Sequence, residues 1–302
     1  MSHVLITGGS GLIGQALKIR LEEKGYEVAL LSRGGKKVYH TECFAWDIAR
    51  GEIDREALNS SDYIIHLAGA NIGAKRWTSR RKREIRASRI DSTNLIFANL
   101  DKQGKKLKAF ISSSAIGYYG AVSSEHIFTE ADPPSDDFLG QTCRDWEHAA
   151  DQISESGIRT VKIRTGIVLS NKGGALSRLQ LPVRWGLGSP LGDGKQYMPW
   201  IHMDDLCDIY MHALEHEDMQ GAFNAVAPEH ITNKALTRRL AEALRRPFWA
   251  PNIPALGLKI LFGEMAAMLL KGSRISSEKI REAGFKFKFP DLDSALKDLY
   301  PL

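Results

Sequence analysis

The chain has 302 residues, 43% hydrophobic and 25% charged, with a formal net charge of +5, the ordinary balance of a soluble globular protein. Its three cysteines, Cys43, Cys143 and Cys207, lie far apart with no CxxC spacing, which excludes a disulfide framework and a cysteine-built zinc site. That usage fits a reducing cytosol, and the start of the chain shows no leader pattern, so a cytoplasmic location is expected.

In chain order, HVLITGG (3–9) reads as a buried strand, followed by helical spacing through Leu12, Ala16, Leu17 and Leu21. YEVALLSR (26–33) reads as a second strand, and a third short one is expected just before Trp46-Asp47. YIIHLAG (63–69) and LKAFISSSA (107–115) are further strands, with Ile85, Ser88, Ser92, Leu95 and Ile96 marking one long helix between them. TVKIRTGIVL (160–169) reads as another strand after a helix containing Trp146 and Ala149. Continuous apolar strands separated by helices imply an α/β chain with a Rossmann-type, doubly wound parallel sheet. Residues 1–172 are expected to form this core. Residues 173–302 are expected to form mostly a smaller C-terminal α/β substrate cap, with a helix at 203–216 and the short strand GAFNAVAP (221–228) returning to the sheet. The most apolar long stretch, Leu256–Leu270, is interrupted by Lys259 and Glu264, and is too short and too charged to span a bilayer.

The positive charge is concentrated in KRWTSRRKREIRASR (75–89), which holds eight basic residues and one acid. Such a run can be a solvated helix face, a surface for a phosphate-bearing small molecule, or a nucleic-acid site. Trp77 is its one aromatic residue, so the interleaving of a single-strand binder is missing and no nucleic-acid partner is expected.

The strongest signal is ITGGSGLIG (6–14), which places Gly8, Gly11 and Gly14 as GxxGxxG between a strand and a helix. One glycine permits the tight turn, another lets backbone approach a pyrophosphate, and a third lets the helix pack on the strand, with the helix N-terminus facing the anion. The second strand ends at Ser32-Arg33 and carries no acid there to repel a 2′-phosphate. Arg33 and Ser32 offer donors, with Lys36 and Lys37 nearby, as NADP requires. The alternative is a surface arginine beside a turn. Asp47 could accept from an adenine amino group.

These motifs resemble the extended short-chain dehydrogenase/reductase superfamily. More narrowly, they resemble the atypical branch known as the epimerase family, whose members are similar to sugar-nucleotide epimerases. The resemblance runs along nearly the whole chain. It rests on TGGSGLIG (7–14), LSR (31–33), HLAGANI (66–72), the spacing in WTSRRKREIRASR (77–89), SSSAIGYYG (112–120), RTGIVLSNKGGAL (164–176), GDGKQYMPWIHMDDL (192–206) and the tail GEMAAMLLKGSRISSEKIREAGFKFKFPDL (263–292). It implies an NADP(H) site built from Thr7, Gly8, Gly9, Ser10, Gly11, Leu12, Ile13 and Gly14, with Ser32 and Arg33. It also implies that Leu67, Ala68 and Gly69 lie beside the adenosine and ribose, that Glu84 and Arg89 flank the nucleotide, and that Val168 meets the nicotinamide end. For Glu84 and Arg89 the alternative is an intrahelical charge pair.

Typical members of the superfamily use Ser, Tyr and Lys, the Tyr serving as general acid/base with its pKa lowered by the Lys and the cofactor's charge. Ser114 stands where the serine is expected. Counting back from Glu147 puts Leu139 at the Tyr position and Cys143 at the Lys position, so FLGQTCRDWE (138–147) cannot supply the usual proton transfer. Tyr118, beside Tyr119, is the substitute phenol, or else the pair packs under the substrate loop. A thiolate at Cys143 and an acid/base His202 are the remaining candidates, each set against a purely structural role. Two functions follow. One is an NADP-dependent epimerase-like or oxidoreductase-like enzyme acting on a small molecule, for which a nucleotide sugar is one candidate, in a chain that could form a homodimer. The other is a catalytically silent, redox-responsive NADP(H)-binding module.

Overall fold

The structure is a computed structural model that describes residues 1–34, 41–100 and 107–301; Lys36 and Lys37 lie outside them. The first half runs β1 (His3–Thr7), α1 (Leu12–Glu23), β2 (Glu27–Ser32), β3 (Glu42–Asp47), β4 (Glu52–Ile53), α2 (Arg55–Asn59), β5 (Tyr63–His66), α3 (Ser79–Asn99) and β6 (Ala109–Ala115). A 3-10 turn over Ile116–Tyr119 follows, then β7 (Ile127–Phe128), α4 (Phe138–Glu155), β8 (Arg159–Thr165), β9 (Ile167–Leu169) and α5 (Gly174–Arg184). The remainder is β10 (Trp200–His202), α6 (Met203–Glu215), β11 (Gly221–Ala225), α7 (Asn233–Ala243), α8 (Ala255–Phe262), α9 (Ala267–Leu270), β12 (Arg274–Ile275), α10 (Glu278–Glu282) and α11 (Leu292–Leu299).

Among the described residues, eight strands form one sheet in the order β11-β8-β6-β5-β1-β2-β3-β4. Its pairings are parallel except for β3 with β4. The chain winds outward from β1 through β2 to β3, then crosses back to β5 and winds the other way. That reversal between β1 and β5 opens a crevice at the carboxyl ends of the strands. Period-2 alternation explains why the strands are continuously apolar. Val4 and Ile6 pack with Leu17 and Leu21 of α1 and Leu206 and Tyr210 of α6, while Leu5 faces Leu58, Ile96 and Ile153 on the opposite side. Each such side chain contributes about 1.5–3 kcal/mol of burial.

A further lobe collects α5, α7 and α11 around Trp200, with Leu176, Leu236, Leu240, Leu292 and Leu296 in one cluster. The tail also returns to the main core, since Ile280 and Phe285 share the cluster of β1 and α6. The stretch Leu256–Leu270 becomes α8, a 3-10 turn and α9, and no described helix is long and apolar enough to cross a membrane.

Two elements differ from expectation. Residues 160–169 form two strands because the chain changes partners at Gly166: its N–H bonds to Ala225 O at 3.0 Å, and the next amide, Ile167, bonds to Pro199 O at 2.8 Å. A Cβ at Gly166 would stand 2.8 Å from that same carbonyl, so the switch needs glycine. Trp46 and Asp47 are the last two residues of β3 rather than residues following it.

Candidate nucleotide and substrate site

The glycine run forms the turn that the sequence requires. Gly8 has φ +70°, and a Cβ there would lie 2.9 Å from the Ala68 amide, so the backbones of β1 and β5 approach too closely for any other residue. A Cβ on Gly14 would lie 2.6 Å from Gly8 O, which is the close helix–strand packing assigned to the third glycine. Gly11 caps α1 without a side-chain hydrogen bond, leaving the first amides of the helix directed toward the crevice, as an anion site needs. Gly8, Gly11, Leu12, Ile13 and Gly14 line a cavity of about 620 Å³ at the carboxyl edge of the sheet. Thr7, Gly9 and Ser10 are not among the residues lining it. Thr7 Oγ1 is held by the His66 ring at 2.7 Å and accepts from the amides of Leu67 and Ala68, Gly9 packs against Leu30, and the Ser10 carbonyl accepts from Gln15.

Leu67, Gly69 and Val168 line the same cavity, while Ala68 serves as a turn amide bonded to Thr7. Arg33 is exposed at the end of β2, and Ser32 Oγ lies 3.1 Å from the Cys43 sulfur. The Asp47 carboxylate is occupied locally, accepting from the amides of Ala49 at 2.9 Å and Arg50 at 3.2 Å.

On α3 the two flanking residues separate. Glu84 is exposed and pairs with Arg81 at 2.7 Å, not with Arg89, and it does not line the cavity. Arg89 does line it. Its guanidinium donates to the carbonyls of Ala70 and Ile85 and lies 5.1 Å over the Trp146 ring, and a Cβ on Gly69 would approach it to 3.1 Å. No carboxylate lies within ion-pair distance of Arg89 among the described residues, and burial lowers its pKa from the ordinary value. A partly buried cation without a counter-ion is costly, and a ligand anion would relieve the cost. Trp146 Nε1, buried in the same wall, also has no hydrogen-bond partner among the described residues. The rest of the basic run is dispersed: Arg81 donates to Asn71 O, Lys82 pairs with Glu264 and Arg86 with Asp145.

The helix expected to carry Tyr and Lys is α4, capped by Asp137, whose carboxylate accepts from Gly140 N at 2.8 Å. Leu139 and Cys143 project into the cavity wall, and burial pushes the Cys143 thiol up to about 12, which removes the thiolate. Ser114 is buried and donates to Glu147 Oε1 at 2.7 Å, and it is not among the residues lining the cavity. Glu147 is held from two sides by Arg164, at 2.8 and 2.9 Å. Burial opposes the Arg164 charge, but Glu147 more than offsets it and holds that pKa above its ordinary value. Tyr118 packs its ring 3.5 Å from the Arg164 guanidinium carbon, and burial raises its pKa; it does not line the cavity. Tyr119 does, but its hydroxyl donates to Asn224 at 2.7 Å, and burial pushes it up to about 12.

His202 ends β10 and caps α6. Its Nδ1 accepts from the Asp204 amide at 3.1 Å, which leaves the proton of the neutral ring on Nε2, 3.4 Å from Asp298. With Nδ1 engaged and the proton on Nε2, the ring presents no free lone pair toward the space between Asp204 and Asp298, and burial lowers its pKa. Several wall residues carry no fingerprint in sequence. Ile72, Tyr197, Met268, Lys271 and Ile275 reach the cavity from separate segments; all five fall inside the quoted motifs HLAGANI, GDGKQYMPW and the 263–292 tail, but no spacing within those motifs marks them as site residues.

Residues 4–143 match the NAD dependent epimerase/dehydratase family, and residues 253–299 match a domain of unknown function, DUF1731. The chain is 36% identical over 302 residues to the epimerase family protein SDR39U1 of Mus musculus, covering 98% of this chain and 99% of that one. It is 35% identical over 299 residues to the epimerase family protein YfhF of Bacillus subtilis, covering 98% and 97%. A crystal structure of human epimerase family protein SDR39U1 (isoform 2) with NADPH superposes with a TM-score of 0.88 at 35% identity, covering 99% of each chain. Full-length similarity at this level, on a shared Rossmann-like sheet, places the chain in the SDR39U1-like epimerase family of extended short-chain dehydrogenase/reductase proteins.

Proposed function

We propose that the protein is an NADP(H)-binding, oxidoreductase-like or epimerase-like enzyme acting on a small molecule held between the sheet edge and the C-terminal segments. The observation that carries this reading is the pairing of the close glycine turn at Gly8–Gly14 with Arg89, a cation in the same cavity that lacks a counter-ion among the described residues. In it, the amides of α1 and Arg89 hold the pyrophosphate, Arg33 and Ser32 the 2′-phosphate, and Leu67 and Gly69 the adenosine side, with Val168 against the nicotinamide. The human relative crystallised with NADPH supports the cofactor. NADP(H) supplies hydride transfer when bound. Glu84 and Asp47 fall to the periphery, their carboxylates already engaged by Arg81 and by turn amides. Three free thiols fit a reducing, cytosolic setting.

The chain's own residues orient the reactants more readily than they move protons. Ser114 donates its hydrogen to Glu147, which would leave only lone pairs for any neighbouring group. This reverses the usual role of a serine that donates to a substrate carbonyl. A second reading, a catalytically silent NADP(H)-responsive module, is favoured by one observation: Cys143, Tyr118 and Tyr119 all have their pKa values raised by burial, so none is poised as a base near neutral pH.

Fluorescence titration tests the cofactor assignment. NADPH is expected to bind at least about tenfold more tightly than NADH, and Arg33→Ala to abolish the difference, since one charge-assisted phosphate contact supplies about that factor. Equal affinities in the unaltered protein would refute it.

A further inference from the structure

Beyond the cofactor walls, the cavity is closed by Ile72, Leu139, Tyr197, Met198, Met268 and Ile275, an apolar surface drawn from α4, α9, β12 and two loops. Apart from the Tyr197 phenol, the polar side chains at this end already have partners among the described residues. Thr142 donates to Phe138 O, Ser273 donates to Val122 O, and Asn71 Oδ1 accepts from Gly73 N. The neighbouring arginines are engaged as well: Arg178 donates to Gly73 O at 2.8 Å, and Arg274 donates to Glu125. Among the described residues one charged side chain lining this end remains, Lys271, at the end of α9. It lines the cavity, is exposed, and has no carboxylate within ion-pair distance among the described residues.

Those features bear on substrate class. A nucleoside diphosphate brings two or more negative charges and a base edge that needs donors and acceptors. Placing it against this wall would strip its water and return one lysine. An apolar molecule gains from the wall by burial, and a single anionic group at its end gains from the lysine. We propose that this end of the cavity takes a small, largely apolar molecule bearing one carboxylate, with Lys271 as its counter-charge, and not a nucleotide sugar. The inference rests on the reading of the opposite end as the NADP(H) site.

Isothermal titration of the NADPH-loaded protein with three probes tests it: 4-phenylbutanoate, its neutral amide, and UDP-glucose. The expected result is that the acid binds at least about fivefold more tightly than the amide, as a partly desolvated ion pair provides. In Lys271→Met the acid should fall to the affinity of the amide, and UDP-glucose should give no saturable heat. Saturable UDP-glucose binding, equal affinity for acid and amide, an acid preference that survives Lys271→Met, or no binding of either phenyl probe would each overturn the proposal. NADPH loading is read first by its own fluorescence, and the titrations are repeated without nucleotide. A failure to bind NADPH then strikes the cofactor reading alone, while the acid-over-amide ratio still decides this one.

Discussion

At the end of β5, His66 is held between two hydroxyls, with Thr7 Oγ1 2.7 Å from Nδ1 and Ser92 Oγ 3.0 Å from Nε2. Burial lowers its pKa to about 3, so the folded protein keeps the ring neutral across the physiological range. In the unfolded chain a histidine titrates near pH 6.5. Above that pH both states are neutral and the ring costs nothing. As the pH falls below about 6.5 the unfolded state takes up a proton that the fold refuses, and stability declines until about pH 3. At pH 5 the gap amounts to about 2 kcal/mol. Urea denaturation at pH 7.5 and pH 5 should show the unaltered protein losing about that much more on acidification than His66→Gln; equal losses would mean that the buried ring accepts the proton after all. Residues whose roles depend on a neighbour in sequence were legible at this scale. Leu139 and Cys143 are reached by counting back from Glu147, and both line the cavity. The partner of Ser114 was not legible, because Glu147 is 33 residues away and is itself held by Arg164 from another strand. Nothing in a strand-end serine announces which carboxylate will accept its hydrogen bond.

Elements were read best where one periodicity runs without interruption. The strands ending at Thr7, Ser32, His66 and Ala115 and the long helix α3 follow from apolar runs and helical spacing. The split between β8 and β9 does not, since Gly166 matters only through Pro199 and Ala225, which no local pattern places beside it. Helix α1 offers a sharp test of the glycine turn as an element. Gly14→Ala would drive a Cβ to 2.6 Å from both Gly8 O and Gly9 Cα, backbone atoms that can yield only if the helix lifts off the strand. NADPH affinity is expected to fall at least about tenfold, because the amides of the first turn move away from the pyrophosphate. Gly25→Ala, at the other end of α1, provides the control. It meets no atom within 4 Å but sits at φ +84°, so it should cost about 1 kcal/mol of stability and leave NADPH binding unchanged. If both variants bound NADPH like the parent in the same titration, the turn would have no part in holding the nucleotide.

For the whole molecule, the question is whether the C-terminal region is a cap added to a finished core. The sequence places the change of character after about Lys172, with GLGSPLGDGKQYMPW (186–200) reading as a glycine-rich loop, but it cannot show how far later segments return. In the structure they return deeply. Asp205 of α6, itself buried, accepts from the amides of Lys288 at 2.8 Å and Phe289 at 3.0 Å, and Glu229 accepts from Leu292 N at 2.6 Å. Ile280 and Phe285 share the cluster that holds β1 and α1, and Phe289, Leu292, Leu296 and Leu299 complete the cluster around Trp200. Removing these side chains would forfeit about 1.5–3 kcal/mol each. Their sum, about 9–18 kcal/mol, matches the roughly 5–15 kcal/mol by which a domain is stable. The cost is larger still because Asp205 would lose both amides that it accepts from. A chain ending at residue 252 should therefore lose both its near-UV circular dichroism and its cooperative thermal transition, whereas the full chain should unfold in one step that includes residues 253–299. The outcome that would defeat this is a truncated chain that melts sharply and still binds NADPH. The tail would then be a separable cover, and the apolar wall it lends to the cavity would be an accessory to a core that stands without it.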